Sequence, residues 1–320
     1  MALPPLHIQG MHGMGDCLHQ RAVLRQLMQR YDVTLETSWP SMYHDLIANG
    51  LKVTRRGVGL RTQTKNASRE SESALYSPRH SFTRAALRIS YHGQQVLSTP
   101  SKTILEVMCN VTGTSYADAD YRLPVPAEWG RSLYKALGTL PQISRERPWM
   151  FYRPLVARPE WRGSMARNAD ETAYHDLFNS IRDQFFVVSV ADLVPGVEWI
   201  VGPDAKADLS FHRGELVFEA IAALAQQSDL VFTSSGFAAV LGPAVETPTI
   251  SIIGGYEDVR CHDSGKKFSP YLAIGPKDNC SCWTSSCGRI CNKEIDIDAA
   301  RAAISRFIAE TSPCAPVLPK

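Results

Sequence analysis

The chain has 320 residues, which at about 150 residues per domain predicts roughly two domains. Hydrophobic residues make up 44% of it and charged residues 21%, a globular composition that excludes disordered and fibrous proteins. Its 34 basic and 32 acidic residues nearly cancel, so the chain as a whole is not expected to be a polyanion binder.

No apolar run has the length of a transmembrane helix, and the first residues lack the charged-then-apolar pattern of a secretory signal. We therefore expect a cytoplasmic protein, with peripheral contact to a membrane left open. In the cytoplasm disulfides are rare, so a cluster of cysteines there points to metal more than to cross-links.

The first half of the chain opens with a strand, a helix and a second strand. Residues 6–11 form a short apolar run typical of a buried strand, and a glycine-rich turn occupies residues 10–15. Residues 16–30 carry apolar side chains at near-helical spacing, with Asp16 as the expected N-cap. Residues 33–36 predict a second strand, and residues 42–49 a short helix. This order implies a parallel sheet.

Residues 52–88 form a basic stretch, which contains nine lysine and arginine residues but only two acidic residues, Glu70 and Glu72. Turn-forming and hydroxyl residues predict a long, mobile loop around residues 61–81. A proline-punctuated passage at residues 124–148 predicts the hinge between the halves. We therefore expect an N-terminal domain of residues 1–147 and a C-terminal domain of residues 148–320.

The second half alternates short apolar strands with helices, the pattern of a doubly wound α/β sheet. Predicted strands and helices, in chain order, are the strand 149–152, the helix 173–185, the strands 185–190 and 197–201, the helix 215–227, the strand 229–233, the helix 237–245 and the strand 249–255. A polar, arginine-rich loop covers residues 153–167. Two such domains facing each other across a cleft are the simplest architecture.

Two turns lie where open α/β sheets bind ligands, at the carboxyl ends of strands. The glycine turn at 10–15 lets a ligand approach the backbone, and the following helix N-terminus favours an anion. The other turn, Ser234–Ser235–Gly236, offers hydroxyls and N–H groups suited to a diphosphate. Each turn is also explained as an ordinary strand-to-helix connection, the first capped by Asp16.

The residues around these turns resemble family 9 glycosyltransferases, the heptosyltransferases of lipopolysaccharide synthesis. The similar segments are Gly-Met-Gly-Asp-Cys-Leu-His at 13–19, Asp-Leu-Val-Phe-Thr-Ser-Ser-Gly at 229–236 and Thr-Pro-Thr-Ile-Ser-Ile-Ile-Gly at 247–254. The chain departs from the family at Ser234, where an aspartate is usual, and at Ala239, where histidine is common. The resemblance implies a GT-B fold and an inverting, metal-independent transfer from a nucleotide-diphospho-sugar.

The resemblance also implies roles for individual residues. Asp16 would be the general base that takes the proton of an acceptor hydroxyl, with His12 beside it. The donor and its phosphates would contact small, hydroxyl and charged residues near the two turns: Gly13, Gly15, Arg153, Arg158, Ser234, Ser235, Gly236 and Glu215. Arg162 lies on the same arginine-rich loop, for which a solvated surface is the plain alternative.

The basic stretch would bind the acceptor in the N-terminal domain, through Arg55, Arg56 and Arg61. Its charge suits an anionic acceptor, either a phosphorylated glycan of the lipopolysaccharide type or modified DNA. A solvated basic loop is the alternative.

Four cysteines fall within twelve residues, at Cys280, Cys282, Cys287 and Cys291. Four thiolates suit a tetrahedral zinc site, although the Cys-x-Cys spacing is tighter than the usual Cys-x2-Cys. Cys261 or His262 could take the place of one of these ligands. We expect a structural zinc here, with free or disulfide-linked thiols as the alternative, and no cofactor for catalysis.

Two other functions fit parts of the sequence. A non-catalytic nucleotide-sugar or glycan binding protein on the same scaffold would explain the departures at Ser234 and Ala239. An NAD-dependent oxidoreductase would use Glu36 on the ribose, but the glycine spacing is not that of a dinucleotide fold, and no tyrosine has a lysine four residues later.

Overall fold

The computed structural model describes residues 2–58, 64, 68, 73–77, 86–138, 147–157, 167–283 and 292–311. The chain divides into two compact units, Met1–Pro124 and Val125–Lys320. The division lies before the expected boundary at 147/148. Residues 127–137 form a helix that packs in the second unit, where the rings of Trp129 and Phe218 meet edge to face at 5.7 Å and the Tyr134 hydroxyl donates to Gln227.

The first unit contains a parallel sheet of four strands in the order β3-β2-β1-β4. Its described elements are β1 (Pro5–Gln9), α1 (Met14–Leu27), β2 (Asp32–Thr37), a 3₁₀ turn (Pro40–Tyr43), α2 (His44–Ala48), β3 (Lys52–Arg55), β4 (Leu87–Arg88), α3 (Gly93–Ser98) and α4 (Ile104–Thr112). The predicted strand–helix–strand opening is therefore present. The parallel register brings the ends of β1, β2 and β3 to one edge of the sheet.

The start of α1 differs from the prediction. The helix begins at Met14 and its N-cap is Gly13, so Asp16 lies inside the first turn and does not cap the helix. The helix dipole stabilises an acidic side chain in the first turn, whichever residue is the N-cap. The prediction of Asp16 as N-cap was wrong because the turn of small residues continues directly into helical geometry.

The interior of the first unit holds a histidine that should make its stability depend on pH. His19 is fully buried, with its ring edge-on to Tyr121 at 4.9 Å. Burial lowers the pKa of His19 from 6.5 to about 3, because a charged imidazolium is not solvated there.

The unfolded chain therefore binds this proton near pH 6.5, whereas the folded protein excludes it down to about pH 3. The stabilisation that His19 contributes is complete above pH 6.5 and is lost progressively as the pH falls from 6.5 to about 3. Between pH 7 and pH 5 the free energy of unfolding should drop by roughly 2 kcal/mol for this histidine alone. Urea unfolding of the wild type and of His19→Gln at both pH values tests this. An equal pH dependence in the two proteins would contradict it.

The second unit contains a parallel sheet of six strands in the order β12-β11-β10-β5-β7-β9. Its described elements are α5 (Ala127–Leu137), β5 (Trp149–Tyr152), β6 (Val156–Ala157), α6 (Glu171–Asn179), a 3₁₀ turn (Arg182–Gln184), β7 (Phe186–Val190), β8 (Trp199–Ile200), β9 (Leu209–Phe211), α7 (Phe218–Gln227), β10 (Leu230–Ser234), α8 (Phe237–Ala244), β11 (Thr249–Ile252), a 3₁₀ turn (Asp263–Lys267), β12 (Tyr271–Ile274) and α9 (Ile297–Thr311).

The predicted strands at β5, β7, β10 and β11 all lie in this sheet. The predicted strand 197–201 is shorter, and as β8 it pairs antiparallel with β6 outside the main sheet. The helix predicted from Glu215 begins at Phe218, so Glu215 precedes the helix and is exposed. Aromatic side chains of Tyr152, Phe178 and Phe232 contact one another in the core and fix β5 and β10 side by side.

A membrane-spanning helix would need a long apolar stretch, and none of the helices within the described residues provides one.

Candidate functional site

The glycine turn after β1 is held tightly against the end of β2. The Gly10 N–H donates to the carbonyl of Glu36 at 3.2 Å, and a Cβ at Gly10 would lie 2.8 Å from that oxygen. A Cβ at Gly13 would collide with the Asp16 carboxylate. The spacing of the two glycines thus allows the turn to run close both to the sheet and to an acidic side chain.

Side chains of neighbouring elements fasten this turn. The Met11 N–H donates to Gln20 Oε1 at 2.8 Å, and Gln20 Nε2 donates to the hydroxyl of the buried Tyr43 at 2.9 Å. Trp39 Nε1 donates to the carbonyl of His12 at 2.9 Å. The backbone of the turn is therefore fixed before any ligand binds.

Asp16 is half-buried in the first turn of α1. The hydroxyl of Tyr91 donates a hydrogen bond to Asp16 Oδ1 at 3.0 Å. Sequence reasoning missed Tyr91. It lies three residues after β4, a strand of two residues that is too short to show alternation, and it reaches Asp16 only because β4 pairs with β1.

Positive charge surrounds the turn. Nη1 of Arg56 donates to the carbonyl of Gly10. Burial lowers the pKa of His12, and the charges of Arg56 and Arg88 lower it further, so this imidazole is neutral at pH 7. The structure thus brings together His12, Asp16 and Arg56 of the residues singled out from the sequence.

The other predicted acceptor residues are placed differently. Arg55 is exposed, with its guanidinium over the ring of Tyr76 at 5.4 Å. Arg61 lies outside the described residues, as does most of the loop predicted at residues 61–81. Arg88, which no sequence argument singled out, joins Arg56 in acting on His12.

Arg153 lies directly after β5, at the carboxyl edge of the second sheet. Its backbone N–H donates to Phe232 on β10, and its Nη1 donates to the carbonyl of Val190 at the end of β7, at 3.0 Å. The hydroxyl of Tyr174 donates to the Arg153 carbonyl at 2.5 Å. The guanidinium is therefore anchored across the ends of neighbouring strands. Arg158 and Arg162 lie outside the described residues.

Next to Arg153 the structure places a histidine that the sequence did not point out. His212 follows β9, and its Nε2 is 2.8 Å from the Ser189 hydroxyl. Burial lowers the pKa of His212; Glu215 acts to raise it and Arg153 to lower it. Glu215 accepts a hydrogen bond from the Arg213 N–H at 2.8 Å, so this predicted donor-binding residue lies near His212 and not in a helix turn.

The serine turn after β10 leads into α8. Gly236 is the N-cap of α8 with φ +126°, a conformation that side chains rarely adopt. Ser234 is the buried last residue of β10. Because β5 and β10 are paired, Arg153 and this turn follow neighbouring strands at the same edge.

The Ser235 hydroxyl contacts side chains of the segment that follows β11. Its hydroxyl donates to Glu257 Oε2, and it lies 3.5 Å from His262 Nε2. Burial raises the pKa of Glu257, against the opposing charge of Arg167, whose Nε lies 2.9 Å from Glu257 Oε1. Neither Glu257 nor His262 was expected at this turn. Their sequence signal is limited to their position shortly after Gly254 and Gly255, which follow β11.

The cysteine segment runs beside this region. The backbone N–H groups of Ser281 and Trp283 donate to the carbonyls of Gly255 and Tyr256, both at 3.0 Å. Cys280 and Cys282 are half-buried, while Cys287 and Cys291 lie outside the described residues. The predicted four-cysteine zinc site stays a prediction.

Comparisons with known proteins give a fold and no sequence family. No protein-family profile matches the sequence, and no curated protein matches it. Among solved structures, the chain is similar to the dodecameric iron-containing heptosyltransferase TibC of enterotoxigenic E. coli, in complex with ADP-D-beta-D-heptose. Identity is 13% and the TM-score 0.62, over 98% of this chain and 79% of TibC.

Two further structures cover nearly the whole of both chains. One is a family 9 glycosyl transferase from Veillonella parvula, with a TM-score of 0.62 and 11% identity over 97% of this chain and 98% of that one. The other is the E. coli ADP-heptose lps heptosyltransferase II, with a TM-score of 0.55 and 12% identity over 96% and 99%. The α/β fold of the GT-B class expected from the sequence resemblance is confirmed.

Proposed function

We propose that the protein is an inverting glycosyltransferase that moves a sugar from a nucleotide-diphospho-sugar to a hydroxyl group of an anionic acceptor. The observation that carries this proposal is the Asp16 carboxylate, set at a fixed glycine turn and hydrogen-bonded by Tyr91 at 3.0 Å. A shared fold does not determine an activity, so the argument depends on this site.

Asp16 would take the proton of the acceptor hydroxyl as its oxygen attacks the anomeric carbon. The carbon–oxygen bond to the diphosphate breaks from the opposite face, so the configuration inverts. Tyr91 would keep the carboxylate in position. His12, neutral at pH 7, would hydrogen-bond the acceptor and orient it.

The donor would bind in the second unit, at the carboxyl edge of its sheet. The leaving diphosphate gains negative charge, which Arg153 and the backbone N–H groups at the start of α8 would stabilise. The anchoring of Arg153 Nη1 on Val190 at 3.0 Å orients its guanidinium in advance. TibC and heptosyltransferase II are described with ADP-heptose. ADP is therefore the first donor nucleotide to test.

Basic residues of the first unit support an anionic acceptor, a phosphorylated glycan or modified DNA. Arg56 lies at the turn itself, next to His12.

We place the enzyme in the cytoplasm, where nucleotide-sugars are made, with peripheral membrane contact for a glycan acceptor. Four thiolates suit zinc or iron, so Cys280, Cys282, Cys287 and Cys291 would form a structural metal site.

A melting panel of ADP, UDP, GDP, CDP, TDP and NAD tests the donor. One nucleoside diphosphate, expected to be ADP, should stabilise the protein by about 2.7 kcal/mol at 100 times its dissociation constant. Arg153→Gln should lose most of this shift, because it removes the cation from the proposed phosphate site. Arg301→Gln, at an exposed position of α9, is the matched control and should keep the shift.

The other outcomes are equally informative. A response to NAD alone would favour an oxidoreductase. A response to a nucleoside diphosphate without turnover of any matching donor sugar would favour a non-catalytic binding protein. Equal shifts in Arg153→Gln and the wild type would remove Arg153 from the donor site.

A further inference from the structure

Three side chains that commonly bind metals converge behind the serine turn of the second unit. Glu257, Cys261 and His262 place one ligand atom each within 4.8 Å of one another. They are 3%, 0% and 3% exposed, respectively. Among the described residues, this is the one group of three or more such side chains close enough to share an ion.

The backbone explains how residues so close in sequence converge. The Cys261 N–H donates to the carbonyl of Asp258 at 2.9 Å, and the Gly265 N–H donates to the carbonyl of His262 at 3.0 Å. These tight turns lead into the 3₁₀ turn Asp263–Lys267 and bring positions four and five residues apart to one side. The sequence pattern is Glu-x3-Cys-His, which matches no common zinc motif.

The contacts of Ser235 indicate where a fourth coordination position of the metal would lie. The hydroxyl of Ser235 donates to Glu257 Oε2 and lies 3.5 Å from His262 Nε2, so it adjoins two of the three candidate ligands. Ser235 immediately precedes Gly236, the N-cap of α8. The fourth position therefore lies at a helix N-terminus and next to a half-buried side chain, where a water or an anion has access.

The Glu257 carboxylate is also held by a charged group that is not itself a candidate ligand, as is common for carboxylates that bind metals. Arg167 Nε lies 2.9 Å from Glu257 Oε1, which leaves Oε2 on the side of Ser235. Asn279 Nδ2 donates to the backbone carbonyl of Glu257 at 3.0 Å, which holds the main chain at this residue and not the carboxylate. Ligating carboxylates are commonly held in this way by charged or polar groups that do not touch the metal.

We propose that Glu257, Cys261 and His262 bind a zinc ion, with the fourth position beside Ser235 at the start of α8. Thiolate, imidazole and carboxylate are together a zinc donor set, and magnesium or calcium would prefer oxygen alone. Three protein ligands and one open position are the arrangement of zinc sites that take an exchangeable ligand. The proposed site uses none of the four clustered cysteines.

The inference does not depend on the proposed sugar transfer, because zinc binding is measured without a donor. If both hold, the ion lies at the same helix end as the proposed diphosphate site. It would then add a positive charge where Glu257 otherwise places a negative one.

The test measures metal per chain and uses the full-length protein. After loading with Zn²⁺ and removal of free metal, mass spectrometry of the elements should show one zinc fewer per chain in Cys261→Ser than in the wild type. Cys109→Ser replaces another fully buried cysteine, on α4 of the first unit, and should keep the wild-type content. The double variant Cys280→Ser/Cys282→Ser should keep the zinc assigned here.

Cobalt gives a second measurement that does not need the substitution of the buried Cys261. In the double variant, Co²⁺ should give tetrahedral absorption bands and a charge-transfer band of the intensity of one thiolate. Equal zinc in Cys261→Ser and the wild type would overturn the proposal. So would a double variant that binds neither metal, because the four-cysteine cluster would then account for all binding.

Discussion

Replacing Asp16 by asparagine is expected to slow sugar transfer by about 10²- to 10⁴-fold, the usual contribution of a positioned general base. Asparagine keeps the size of the side chain and still accepts the hydrogen bond of Tyr91, which spans 3.0 Å in the wild type. The first unit should therefore fold normally. Because the donor is expected to bind in the second unit, kcat should fall while the KM for the donor changes little.

Release of nucleoside diphosphate, measured with the donor class identified by melting, checks this result. Tyr91→Phe removes the hydrogen bond but keeps the carboxylate, so its loss should be about tenfold, smaller than that of Asp16→Asn. Asp32→Asn changes an exposed carboxylate of the same unit, paired with Lys52, and should leave the rate unchanged. Undiminished turnover in Asp16→Asn would show that Asp16 is not the base.

Asp45→Asn is expected to lower the stability of the first unit by about 3 kcal/mol. Asp45 Oδ2 lies 2.9 Å from Nη2 of Arg21, whose side chain is fully buried. Burial raises the pKa of Asp45, but the hydrogen bond and charge of Arg21, together with the charges of His44 and Arg25, outweigh it and the net pKa is lowered. Without the carboxylate, the buried guanidinium has only carbonyl partners, including Met42 and Arg122.

Hydrogen exchange followed by mass spectrometry measures this effect in each unit separately. Amides of α1 should exchange faster in Asp45→Asn, and those of β10 in the second unit should not change. The exposed pair of Asp32 and Lys52 is the control, since Asp32→Asn should cost less than about 1 kcal/mol. Equal effects of the two substitutions would mean that the buried pair adds nothing beyond a surface pair.

The sequence predicted several parts of the fold correctly because their signals are local. Apolar runs identified β5, β7, β10 and β11, and the sheet contains all four. The errors are at boundaries. Glu215 lies before α7, which begins at Phe218, and the passage interpreted as the hinge contains a helix at residues 127–137.

The candidate site also combines residues that a local sequence pattern marks with residues that only the fold brings near. Asp16, His12 and the two glycines could be singled out from the sequence because they lie within a few residues of one another. Tyr91 could not, since it reaches Asp16 from 75 positions away. The convergence of Ser235 with Glu257 and His262 was also missed, because it depends on the turns that follow β10 and β11.

By itself the sequence determined the α/β class, the glycine turn and the carboxylate beside it, since apolar periodicity and glycine spacing act within a single segment. Only the tertiary structure decided which groups surround these segments. Parallel pairing brings the carboxyl ends of strands together at one edge of each sheet. The partners of Asp16 and Ser235 therefore come from distant parts of the chain, where no local pattern marks them.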